Sequence, residues 1–330
     1  DLLGRMSKDG AITILQGRAV GGSTLVNWTS SFRTPEPTLT HWADQHAVEG
    51  HSAAQMAPWF DRMEQRLGVA PWAMPPNANN DVIREGCHQL GYSWKVIARN
   101  VRGCWNLGYC GMGCPTNAKQ SMLVTTIPAT LDKGGELLYL ARAESLMIKG
   151  DKVVGLQCLG IDERCVTLNG RSITVNAKHY VLAGGGINSP ALLMRSEAPD
   201  PHNRVGKRTF LHLTSFSAAQ FDRVINPFYG APQSIYSDHF QWLDGTTGQM
   251  SYKLEVPPLQ PALATTLLGS FGQDNAEHMA QLPKTHMMLA LMRDGFHPDS
   301  VGGSVQLRGD GTPVLDYQVS PYAWDGIRRA

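Results

Sequence analysis

A chain of 330 residues, 42% hydrophobic and 17% charged, can bury a sizeable core in one large or two ordinary domains. Its formal net charge of +1 supplies no broad field for nucleic acid or an anionic membrane surface, and no run of like charges forms a tail. No apolar stretch reaches the ~20 residues of a bilayer span, no apolar leader accompanies the opening Asp1-Leu2-Leu3-Gly4-Arg5, and six cysteines are too few to staple a scaffold of this length. The expected partner is a small molecule or another protein, and the compartment stays open.

In chain order, the β-prone run Ala11 to Leu15 gives way to the glycine-dense turn Gly17-Arg18-Ala19-Val20-Gly21-Gly22-Ser23-Thr24. Met56, Trp59, Phe60, Met63 and Leu67 recur at helical spacing, which predicts a packing helix capped by Ser52 and stopped by Gly68. Pro71 to Asn80 reads as a surface loop and Asp81 to Leu90 as a short helix. Alternation from Leu137 to Gly155 predicts two strands meeting at a tight turn near Lys149 to Lys152, with a third strand over Val166 to Val175. A strand from His179 to Ala183 then runs into Gly184-Gly185-Gly186, and Ser189-Pro190 opens a helix over Ala191 to Ser196 with proline in its first turn. From Phe210 to Ala330 the pattern is a mostly antiparallel sheet, with Arg308-Gly309-Asp310-Gly311 as a hairpin turn. No internal repeat or low-complexity tract occurs.

The two glycine clusters share a physical use. Without a Cβ, backbone N–H groups can approach a bulky anionic cofactor, and a helix N-terminus behind three glycines can receive a phosphate. Either cluster alone is equally readable as an ordinary tight turn.

Gly17-Arg18-Ala19-Val20-Gly21-Gly22-Ser23-Thr24-Leu25-Val26-Asn27 closely resembles the segment that lies along the flavin in glucose-methanol-choline (GMC) oxidoreductases, a G-R-x-x-G-G-S-[ST]-x-x-N pattern. Ala183 to Leu193 resembles a second segment of that family, A-G-x-x-x-S-P-x-L-L, in the right order along the chain. The likeness continues at Val205 to Arg208, at Leu211-His212 and at Pro313 to Tyr317, and is weakest from about Pro227 to Gln281. It implies a mixed α/β fold (α+β): an incomplete Rossmann-like FAD-binding domain over 1–50 and 131–205, and a cap region with the cysteine cluster over 51–130. The remaining 206–330 would be a substrate domain with a largely antiparallel sheet and packing helices.

By the same resemblance, Gly21, Gly22 and Ser23 approach the flavin and pyrophosphate, and Asn27 with Thr29 meets the isoalloxazine side. Arg18, Trp28 and Gly184 join the cofactor-binding positions, and Ala143 sits where the family's strand backbone holds adenine. Some members anchor FAD through a histidine just before the asparagine. Here that position is Val26, so non-covalent FAD is expected. The implied activity is oxidation of a small-molecule alcohol by hydride transfer to flavin; a hydroxynitrile lyase and a non-catalytic or partner-dependent flavoprotein are the alternatives.

The family's G-x-G-x-x-G motif occurs nowhere in the chain, and its catalytic histidine, paired with histidine or asparagine, is expected beyond Ala330. An internal piece of a longer chain is therefore the expectation, with the catalytic residues unassigned. Among the eleven histidines, His212 matches a usually structural family position, and His41, His46 and His51, spaced by five, fall on no common face.

Cys104, Cys110 and Cys114-Pro115 crowd into one glycine-rich loop. They resemble the [3Fe-4S]-binding loop of multi-subunit GMC sugar dehydrogenases, which would imply an electron-transfer partner. They equally resemble the cysteine-rich loop of long-chain alcohol oxidases, which implies structural thiols. Trp28, Trp105, Met287 and Met288 are read either as pocket walls or as plain core.

Overall fold

A computed structural model describes residues 5–330, and in it the alternating run predicted over 137–155 pairs as two antiparallel strands, Ala141–Lys149 and Lys152–Ile161. Gly150 supplies the positive φ, 60°, that so short a connection needs. The third predicted strand, Leu168–Val175, completes the sheet against Lys152–Ile161. This sheet belongs to the first of two units, made of the described residues up to Gln16 with Thr130–Leu211 and Val301–Val319.

Two other parts of this unit depart from expectation. The β-prone run at 11–15 is a two-residue strand, Thr13–Ile14, paired with Arg5–Met6. Residues 179–183 form no strand: Val181 is 87% exposed, and no described strand lies beside it to take its backbone hydrogen bonds. The helix predicted from Ala191 starts earlier, as Gly185–Arg195, so Pro190 lies inside it and not in the first turn. The missing Pro190 N–H leaves one rung open, while Gly184 N donates to Ser189 Oγ at 3.0 Å and closes the start of the helix from its side. Ile187, Ala191 and Leu192 are its buried face, turned to Ala141–Lys149 and to the hairpin Ser304–Leu307/Pro313–Asp316. That hairpin turns at the predicted Arg308–Gly311, where Arg308 N donates to Thr312 O at 2.8 Å.

The second unit comprises Gly17–Ala129, His212–Ser300 and Ser320–Ala330. Its centre is a five-stranded, wholly antiparallel sheet in the order Lys95–Val96, Ile235–Ser237, Tyr252–Glu255, Thr285–Met292, Thr214–Gln220. Leu259, Ala264, Leu282 and Met287 form one of its buried clusters, so Met287 is core. Trp105, 73% exposed, is neither core nor an enclosed wall.

The predicted helix after Ser52 is Ala53–Leu67, with a full capping box between Ser52 and Gln55 and Gly68 in the left-handed conformation at its end. It is not a packing helix: none of its residues is buried, and Trp59 and Met63 stay exposed. Arg102 Nη2 donates to Gln65 O at 3.2 Å near its end, and Arg33 pairs with Asp61 and Glu64 along its length.

Helix Ala78–Leu90 begins inside the predicted loop because Asn77 caps it, accepting from Asn80 N at 2.9 Å. This places two asparagines on the buried face. Asn80 Oδ1 accepts from Ser234 N and Ile235 N, its Nδ2 donates to Asn77 Oδ1, and so it ties the helix to a central strand. Asn79 Oδ1 accepts from His286 Nδ1 at 2.7 Å.

Candidate functional site

The motif Gly17 to Thr29 lies in the second unit and is wound tightly on itself. A Cβ added to Gly17 would stand 2.9 Å from Gly22 O, Ser23 Cα and Val26 Cγ2, so only glycine fits. Gly17 N donates to Ser23 Oγ at 3.0 Å, which pins the entry of the turn to its tip. Gly21 and Gly22 both have positive φ, 97° and 60°, and the short helix Gly22–Leu25 follows. A Cβ at Gly22 would meet nothing within 4 Å, so the tip is open where a ligand could lie against backbone. Thr24 Oγ1 donates to Gly21 O and accepts from Met122 N at 3.0 Å, joining the turn to a segment a hundred residues away.

Beyond the turn, Arg18 and Asn27 are exposed and Trp28 is half-buried. Thr29 is fully buried with φ 67°, a costly conformation for a β-branched residue. Its Oγ1 is buried without a hydrogen-bond partner among the described residues, as is Trp28 Nε1. Two adjacent orphaned polar groups in the motif segment are unusual, since buried polar atoms are ordinarily paired. The Trp28 ring packs on Gly111, where a Cβ would lie 3.0 Å from Nε1. Past Thr29 the chain is fastened in place: Ser31 N donates to Ala98 O and Asn100 N to Thr29 O.

Two buried cations sit behind this segment. Lys119, 3% exposed, donates from Nζ to Leu25 O at 2.5 Å, Cys110 O at 2.7 Å and Asn27 O at 3.0 Å. Burial pulls it down to about 8, opposed by the nearby Cys110 and Cys114 thiols. Arg99, 1% exposed, donates from Nη1 to Pro232 O and Gln233 O and lies over the Trp72 ring. Neither cation has a sequence signal, because a lysine or arginine that ends up buried looks like any surface one.

The three clustered thiols are engaged separately. Cys104 Sγ accepts from Asn106 N, Cys110 Sγ from Arg99 Nη2 at 3.4 Å, and Cys114 Sγ from Lys119 N at 3.3 Å. Burial raises the Cys110 thiol; at Cys114 burial also acts upward, but the N–H of Lys119 and the hydroxyl of Thr116 outweigh it and hold the thiol low. Among the described residues no group of three His, Cys, Asp or Glu side chains could hold a metal ion, and all six cysteines are free. The residues present therefore do not fit a [3Fe-4S] cluster.

In the first unit, Gly184 to Gly186 are exposed at the start of helix Gly185–Arg195. Gly185 has φ 78°, and a Cβ on Gly185 or Gly186 would meet nothing within 4 Å. Ala143 sits at a register shift between Ala143 and Ser145. Such a bulge turns backbone groups out of the ladder, and Arg195 takes two of them: Nη2 donates to Ala143 O at 3.1 Å and Nε to Glu144 O at 2.9 Å.

The histidines differ from expectation in two places. His41 and His46, five residues apart, meet edge to face at 5.4 Å. His286, which no pattern singled out, is 6% exposed and drawn down to about 4 by burial. His212, by contrast, is exposed.

Among relatives, an uncharacterized GMC-type oxidoreductase of Mycobacterium tuberculosis is 26% identical over 312 residues, covering 94% of this chain and 46% of its own length. The long-chain-alcohol oxidase FAO1 of Arabidopsis thaliana is 25% identical over 315 residues, covering 92% and 41%. The chain thus spans less than half the length of these relatives. Pyridoxine 4-oxidase from Mesorbium loti shares the fold, with a TM-score of 0.65 at 15% identity over 100% of this chain and 67% of that one. Among the described residues no helix is long and apolar enough to cross a membrane. The GMC oxidoreductase profile matches residues 3–214, and the chain belongs to that family.

Proposed function

We propose that this chain carries flavin-contacting segments of an FAD-dependent enzyme that oxidises an alcohol. GMC oxidoreductases generally bind FAD. The observation that carries the reading is the shape of the turn that matches the family's flavin motif: only glycine fits at Gly17, and the space at Gly22 is open, so a flat ligand can lie against its backbone. The exposed amide of Asn27 is a donor to offer to an acceptor-rich ring lying there.

Bound FAD supplies the acceptor for the hydride that leaves the alcohol carbon. The part of this chain is to bind and orient. Gly21 and Gly22 let backbone approach the cofactor, Ser23 holds the turn in shape, and Asn27 presents an exposed amide beside the buried donors. In the first unit, Gly184 to Gly186 offer a helix N-terminus to an anionic group, and Ala143 stands at the position that resembles the family's adenine contact, with Arg195 fixing its carbonyl. Relatives named long-chain-alcohol oxidases support an alcohol as the substrate class.

The test uses protein expressed from the complete reading frame that encodes this chain. Absorption near ~450 nm marks bound flavin, and bleaching on anaerobic addition of a primary alcohol marks hydride transfer. Bound flavin that no alcohol bleaches would exclude the oxidation; colourless protein that takes up no added FAD would exclude the flavin reading itself.

A further inference from the structure

We infer that Lys119 is a positioning residue for the flavin-facing loop, a buried ammonium that fixes the peptides from Leu25 to Trp28 and so holds the exposed Asn27 amide and the open turn at Gly22 in place for the cofactor. The inference rests on the flavin reading above and adds to it a residue outside the family motif.

Its three N–H donors are all spent, on the carbonyls of Leu25, Asn27 and Cys110. None of its partners among the described residues is a carboxylate. A buried cation that served only to fill space would be replaced at no loss by an apolar side chain, because burying an unpaired charge is expensive. Here the charge does something an apolar group cannot: it holds two carbonyls of the motif segment and one of the cysteine loop on a single point. Charge-assisted bonds of this kind are shorter and stronger than neutral ones.

The base of the side chain is itself immobile. Lys119 forms a bridge with Val101, its N–H donates to Cys114 Sγ, and on either side Arg102 N donates to Ala118 O and Gln120 N to Asn100 O. The ammonium is therefore a fixed point, and the loop is hung from it.

The consequence for the loop follows from peptide geometry. No peptide bond of the described chain is cis, and in a trans peptide the C=O and the next N–H point in opposite directions. With Asn27 O aimed at Nζ, the Trp28 N–H is turned away from Lys119, and it has no acceptor among the described residues. Immediately after it come Trp28 Nε1 and Thr29 Oγ1, both buried and unpartnered, and the left-handed backbone of Thr29. A conformation so unfavourable to a β-branched residue persists only where its surroundings over-determine it. Lys119 on one side of the loop and the Asn100 and Ala98 contacts beyond Thr29 are those surroundings.

The experiment compares wild type, Lys119→Met and Lys119→Arg, expressed from the complete reading frame, for FAD affinity, the flavin absorption spectrum and amide exchange at Asn27 and Asn100, whose N–H groups donate to Ser23 O and Thr29 O, all below the melting temperature. Lys119→Met should bind FAD at least tenfold more weakly, shift the flavin band and lose amide protection at Asn27 and Asn100. Lys119→Arg, which keeps the charge and several donors, should recover part of each. Should Lys119→Met fail to fold, Lys119→Gln, with two neutral donors, carries the same comparison. FAD affinity within twofold of wild type, with spectrum and exchange unchanged, overturns the inference and leaves the flavin reading intact. A wild-type protein that takes up no FAD overturns both.

Discussion

Gly184 to Gly186 lie exposed at the start of a helix, with open space around two of the three, whereas Gly17 to Thr29 is enclosed by Met122, Lys119 and the strand Ala98–Asn100. The first segment takes its shape from its own sequence: three glycines, a serine that accepts from Gly184 N, and the helix that follows. The second is also wound on itself, through Gly17 N and Ser23 Oγ, but is in addition bonded to Met122, Lys119 and Asn100, far along the chain. A locally built turn can change without loss of the unit around it, but a turn hung on long-range bonds cannot. This difference can be tested by substitutions in both units.

The largest effect is expected at Gly17. Gly17→Ala places a methyl against Gly22 O and Ser23 Cα, both backbone, and should lower stability by roughly 3 kcal/mol or more, read from the urea midpoint. A wild-type midpoint would mean that the turn yields, and the contrast would collapse.

The second unit should also depend on pH through His286. Its ordinary value near 6.5 applies in the unfolded chain, and in the folded unit it falls to about 4. The unfolded chain therefore binds the extra proton first. The stability from keeping His286 neutral is fully present above pH 6.5 and is lost as pH falls through 4, a drop of roughly 3 kcal/mol. Subtracting the urea-unfolding profile of His286→Gln from that of wild type isolates this decline; parallel profiles would assign the acid sensitivity to other groups.

Asn80→Ala leaves Ser234 N and Ile235 N without their acceptor in the same unit, and a loss of about 2 kcal/mol is expected in the same assay. An unchanged midpoint would mean that water or a shifted strand satisfies both.

The smallest effect is reserved for the open turn. Gly186→Ala adds a Cβ to free space at ordinary φ in the first turn of a helix, so stability should hold or rise by up to about 1 kcal/mol. If an anionic ligand occupies that space, FAD affinity falls while the melting temperature does not. A melting temperature that drops sharply would show Gly184 to Gly186 to be as constrained as Gly17.

What was legible in the sequence was whatever local physics decides. The hairpin through Gly150, the capping box at Ser52, the αL stop at Gly68 and the turn at Arg308 to Gly311 each depend on residues within a few positions. The order of the two family motifs was legible too, because backbone close to a cofactor restricts the residue types over a short run. The misreadings fall where a partner had to be supplied from elsewhere. The run 179–183 has the composition of a strand but no described neighbour to pair with, and the apolar stripe of Ala53–Leu67 is only partly covered, with Met56, Phe60 and Leu67 half-buried and Trp59 and Met63 exposed. Asn77 began its helix early because a capping side chain outweighed a loop-like composition.

The sequence by itself determined the family, the mixed α/β architecture and the positions of its glycines, since conformations forbidden to side chains leave a mark that can be read locally. Only the tertiary structure decided that Lys119, Arg99 and His286 are buried, that three neighbouring thiols take three different partners, and that Thr29 and Trp28 carry unpaired donors. Burial and hydrogen-bond pairing are properties of what surrounds a residue, and those surroundings come from strands and loops far away along the chain.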